Sequence, residues 1–85
     1  MEAKMNETGP DVRGQFAAYL ERLRIASGLS VAELALRSNL EVDEVEALLR
    51  GEAPLPLDVI LLLARGLAIP PGAFIDGFPE LPEVD

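Results

Sequence analysis

The sequence predicts an all-α domain of five helices. Apolar residues recur at helical spacing in several separate stretches, and no stretch alternates apolar and polar residues over the length of a strand. Glycine, asparagine and proline fall between the periodic stretches, where helices must stop and start. The 85 residues suffice for one small domain, which buries only about 60–65% of its unfolded surface. Residues 1–10 are polar, end in Gly9-Pro10 and are expected to form a flexible N-terminal arm. Residues 11–78 form the domain, and residues 79–85, PELPEVD, an acidic, proline-containing tail.

The first helix is expected over about 12–27, with Phe16, Leu20 and Leu23 on one face and Gly28 suited to its stop. Ser30 and Glu33 make the S-x-x-E capping pattern: the Ser30 hydroxyl accepts from the Glu33 amide, and the Glu33 carboxylate reaches back. A second helix follows over about 31–38, with Leu34 and Ala35 inward. Asn39 stands where the chain must turn, and asparagine accepts positive φ better than most residues. The third helix spans about 42–50, with Val45 and Leu48 inward and Gly51 after it. Pro56 fits the first turn of a fourth helix, about 57–67. Its expected buried stripe is Leu57, Ile60, Leu61, Ala64 and Leu67. Ile69-Pro70-Pro71 ends it, and a short last helix holds Ala73–Ile75.

Two short helices joined through Asn39-Leu40, with small Ala35 before the turn and Val45 and Leu48 after it, have helix-turn-helix spacing. The small residue lets the helices cross closely. Leu40, Val45 and Leu48 fill the angle between them. The wider frame, FAAYLERLRIASGLSVAELALRSNL followed by LLRGEAPLPLDVILLLARGLAIPP, resembles the Cro/phage-repressor (XRE-type) helix-turn-helix family over about residues 15–76. That resemblance implies a five-helix, lambda-repressor-like domain. It also implies a DNA-binding transcriptional regulator, often dimeric, whose third helix enters the major groove of double-stranded DNA.

The chemistry of the third helix departs from that implication. EVDEVEALLRG opens with four carboxylates in six positions, Glu41, Asp43, Glu44 and Glu46. By the motif alignment Val42, Asp43, Glu44 and Ala47 face the ligand. None of them can make the bidentate Arg–guanine or Gln/Asn–adenine pair. An acid can accept from a cytosine amine, but phosphates repel the set. Val31 stands where the family typically has a phosphate-reaching glutamine. Acids in a first turn also favour the helix macrodipole by about 0.3–1 kcal/mol each. Glu46 and Arg50, four apart in the favourable order, are expected to pair, which is worth roughly 0.3 kcal/mol. Arg37 and Arg50 remain the candidates for phosphate contact.

Fifteen acids against seven bases give a net charge of −8, and −4 stays with residues 11–78. A nucleic-acid reader normally carries the opposite footprint. No histidine and no cysteine are present, which removes the commonest general base, thiolate chemistry and the usual metal ligands. Enzymatic activity, cofactors and a metal site are not expected. The longest apolar run, Val59–Ala64, is six residues, too short to span a membrane. The N-terminus lacks an apolar signal core, and a cytoplasmic protein is expected. Val59 and Leu62 lie off the expected stripe of the fourth helix. With Leu49, Val42 and Phe78 they mark a dimer or partner face. The expected function is transcription regulation by a helix-turn-helix protein whose acidic third helix, residues 41–50, acts through contacts with a basic protein surface or by mimicking DNA. The alternative is a homodimeric, sequence-specific DNA-binding repressor.

Overall fold

The computed structural model describes residues 3–78. Five helices follow one another: α1 (Ala3–Ala26), α2 (Val31–Ser38), α3 (Val42–Leu49), α4 (Leu57–Gly66) and α5 (Pro71–Asp76). Helix α2 packs against both α3 and α4, α1 packs against α3, and α4 packs against α5. Four of the five helices lie within a residue or two of their sequence expectation. The exception is α1. Residues 3–10, expected as an arm, are helical and continuous with the rest of α1. Pro10 removes one donor from the helix, but its fixed φ is itself helical. The expected tail at 79–85 lies outside the described residues.

One core joins the helices. Phe16 and Leu20 of α1, Leu34 of α2, Val45 of α3, Leu63 of α4 and Phe74 of α5 are fully buried in it. Four aromatic rings fasten α1 to the C-terminal end of the domain. Phe16 meets Phe74 and Phe78 edge-on, with centroids 6.0 and 5.5 Å apart, while Tyr19 stacks on Phe78 at 5.2 Å. The Tyr19 hydroxyl donates to the Phe74 carbonyl at 2.7 Å, so this buried polar group is satisfied. Phe78, expected on an association face, is only 5% exposed and belongs to this core.

Helix α4 buries a different stripe from the one expected. Ile60, Leu63, Ala64 and Leu67 face inward, whereas Leu57 and Leu61 are 58% and 39% exposed. Val59 is partly buried against the core, and Leu62 is half-buried. The phase is set where α4 crosses α2. A Cβ added at Gly66 would lie 2.0 Å from the Ser38 Oγ and 2.9 Å from the Ser38 N, so the two backbones touch only because residue 66 has no side chain.

Four helices end in the same way. At the ends of α1, α2, α3 and α4 the chain turns through Gly28 (φ 73°), Asn39 (φ 60°), Gly51 (φ 73°) and Ala68 (φ 60°). In each case the next residue's amide reaches back five positions: Leu29 to Arg24, Leu40 to Ala35, Glu52 to Ala47 and Ile69 to Ala64, at 2.9–3.2 Å. This is the Schellman closure, which satisfies carbonyls that the helix end leaves without partners. Arg24 secures the first of these turns. It grips Glu21 through Nε at 3.0 Å and Nη2 at 2.7 Å, and its Nη1 donates to the Leu29 carbonyl at 2.7 Å.

Candidate recognition surface on the third helix

Helix α3 is held from below by Val45 and Leu48, which are 0% and 3% exposed. Leu40 and Leu49 are partly buried against the same core. This leaves Glu41, Val42, Asp43, Glu44 and Glu46 exposed on the outer side, with Ala47 half-buried among them. The four acids thus lie on the solvent side of the helix.

The start of α2 matches its expectation in detail. The Glu33 amide donates to the Ser30 hydroxyl at 3.0 Å, and the Glu33 carboxylate accepts from the Ser30 amide at 2.8 Å. That backbone hydrogen bond, with the Arg37 charge adding a little, holds the Glu33 carboxyl below its ordinary range. Val31, at the position where the resemblance leads one to expect glutamine, is partly buried against the core.

The start of α3 repeats half of this device with an acid expected on the ligand face. The Glu44 carboxylate accepts from the Glu41 amide at 2.8 Å. One of the four carboxylates therefore has a structural duty, satisfying a donor that the helix start leaves unpaired. The spacing E-x-x-E was visible, but a glutamate is not a usual N-cap residue. Asp43 lies in the same first turn, where negative charge suits the macrodipole.

The basic residues give little counterweight. Arg50 does not pair with Glu46. It closes α3 as the residue after the last helical turn, and its Nε donates to Glu52 at 3.0 Å. The chain leaves helical geometry at Gly51 (φ 73°), beyond which Glu52 lies within reach of the guanidinium. Arg37 lies exposed in the last turn of α2.

Beside α3 lies an open groove of about 400 Å³. Asp43, Glu44, Ala47 and Leu48 form its α3 wall. The connection to α4 supplies Ala53, Pro54 and Pro56, and α4 itself supplies Val59. The sequence reading missed the three connection residues as part of a surface. Pro54 and Pro56 announce a rigid loop, but only the fold of that loop back along α3 makes it a wall. Of the five residues expected on a dimer or partner face, Val59 lines this groove, Val42 is exposed on α3, Leu49 and Leu62 are half-buried, and Phe78 is in the core. The exposed apolar pair on α4 is Leu57 and Leu61 instead.

Comparison with solved structures supports the fold. The wild-type restriction-modification controller protein C.Esp1396I superposes with a TM-score of 0.74 at 19% identity, over 81% of this chain and 91% of that chain. A tyrosine-to-phenylalanine variant of that protein gives 0.75 at 19%, over 81% and 87%. An arginine-to-alanine variant gives 0.73 at 19%, over 81% and 92%. No curated protein matches the chain. No described helix is long and apolar enough to cross a membrane. Residues 15–73 match the family described as "Helix-turn-helix domain", and this all-α chain belongs to that family.

Proposed function

We propose that this protein regulates transcription and that its third helix acts on a basic protein surface rather than on DNA. One observation carries the proposal: the exposed side of α3 and its N-cap presents Glu41, Asp43, Glu44 and Glu46, while the one arginine at its end is paired with Glu52. A groove-shaped helix with this face repels phosphates and attracts lysine and arginine side chains. The basic surface could belong to a DNA-binding protein or to RNA polymerase, and occupancy of it, or mimicry of DNA, would be the regulatory act. The fold shared with a restriction-modification controller protein supports a regulatory role.

Charge reversal at Asp43 tests this reading. Glu44 is unsuitable because it also caps the helix. Asp43→Lys is expected to raise low-salt affinity for mixed-sequence duplex DNA by roughly tenfold, since two units of charge change beside the phosphates. A fall in DNA affinity on this change would contradict it, because only a reader that uses the Asp43 carboxylate on a base would lose by its removal.

The second reading is the homodimeric, sequence-specific repressor. The shape of the helix-turn-helix favours it. In that case α3 faces base edges, Arg37 and Arg50 approach phosphates, and two copies meet through exposed Leu57 and Leu61. Leu61→Glu then gives a monomer in sedimentation where the unaltered chain gives a dimer. A monomer in both removes the homodimeric form of this reading.

A further inference from the structure

The acidic face of α3 is continuous with a place where a side chain can be buried. Asp43 and Glu44 form the rim of the groove of about 400 Å³, and Ala47, Ala53, Pro54 and Val59 make much of its apolar lining. We infer that this groove receives the apolar side chains of an extended, lysine- or arginine-bearing segment of the partner protein. The inference rests on the protein-contact reading of α3 and deepens it: the rim carboxylates select the partner's charge, and the groove anchors the partner.

Size, chemistry and charge agree on this occupant. The volume lies at the low end of the roughly 300–1,000 Å³ typical of ligand pockets. That is room for roughly a dozen aliphatic carbons, the ends of a few side chains, and not for the body of a helix about 10–12 Å across. Proline has no backbone N–H, so the wall at Pro54 and Pro56 offers no donors at those positions for pairing with another strand. Recognition there falls to side chains. Glu44 uses its Oε1 on the Glu41 amide, which fixes the carboxylate at the rim and leaves Oε2 to meet a cation. The charge also argues against other occupants. Residues 79–85 of this chain carry Glu80, Glu83 and Asp85 and no base, and a second copy brings a net charge of −8. DNA phosphates meet the same repulsion from Asp43 and Glu44.

The test uses the full chain, isotope-labelled, titrated with three synthetic nine-residue peptides and followed by amide chemical shifts. The peptides alternate lysine with leucine, lysine with serine, and glutamate with leucine. The lysine–leucine peptide is expected to shift Ala47, Ala53 and Val59 saturably. The lysine–serine peptide binds at least tenfold more weakly, and the glutamate–leucine peptide does not bind. Ala47→Leu, which fills the groove, brings the lysine–leucine affinity down to the lysine–serine level. Ala53→Val serves the same purpose if Ala47→Leu does not fold. Asp76→Lys, remote in sequence from α3, leaves the affinity within twofold, whereas Asp43→Lys lowers it. Equal binding of the two lysine peptides, or no effect of filling, overturns the groove while leaving the acidic face as the contact surface. No shift at α3 with either lysine peptide overturns both. Saturable shifts of the same groove amides by a twenty-base-pair duplex place nucleic acid there and also overturn the inference.

Discussion

Ala68 is where a single residue departs most from what its type would choose. It turns the chain at φ 60° after α4, doing what glycine does at 28 and 51 and asparagine at 39. An L-residue with a Cβ pays about 1–2 kcal/mol for the left-handed conformation. Glycine removes that strain but loses about 0.4–1 kcal/mol through greater freedom in the unfolded chain. Ala68→Gly is therefore expected to stabilise the domain by about 0.5 kcal/mol, read as a higher urea midpoint with an unchanged slope. A lower midpoint contradicts the strain. The other three turns were legible because Gly28, Asn39 and Gly51 advertise positive φ by their residue type. Ala68 was not, because alanine ordinarily signals helix. The same limit applies to Glu44, whose cap to Glu41 depends on a rotamer that the sequence does not specify.

At the scale of elements, α4 shows why periodicity alone can leave a helix with the wrong face inward. Leucine occupies 61, 62 and 63, so several rotations of the helix offer an apolar stripe. The choice falls to the α2–α4 crossing, where Gly66 lies against Ser38 and Leu63 turns fully inward. Gly66→Ala gains about 1 kcal/mol of helix propensity. It also drives a Cβ to 2.0 Å from the Ser38 Oγ and 2.9 Å from its amide nitrogen, and a backbone atom cannot rotate away. A net loss of about 1–3 kcal/mol is expected, measured by urea unfolding. A variant as stable as the parent would show that the helices do not cross this closely. The helices α2 and α3 were better predicted because each is bounded by residues with a single plausible duty: Ser30 and Glu33 at one start, Asn39 and Gly51 at the two ends. The long α1 was underestimated because Gly9-Pro10 looks like a stop, although proline's own φ permits a helix.

For the molecule as a whole, the fold follows from patterns of size and polarity, and those were in the sequence. The acidic third helix was there too, and the structure places Glu41, Asp43, Glu44 and Glu46 on its exposed side. What no linear pattern could reveal is that the loop bearing Pro54 and Pro56 lies along α3 and turns a charged ridge into one wall of a groove. Fold and charge then point in different directions. The helix-turn-helix has the shape of a groove-entering element, while the net charge of −8 opposes the counterion release on which DNA binding depends. If Arg37 and Arg50 supply the phosphate contacts, two contacts give a salt slope of about −1.8. The most direct measurement is a titration of the unaltered protein against mixed-sequence and genomic duplex fragments from low to physiological salt. No binding tighter than micromolar is expected at any salt. Sub-micromolar binding to a fragment, falling steeply as salt rises, would contradict it.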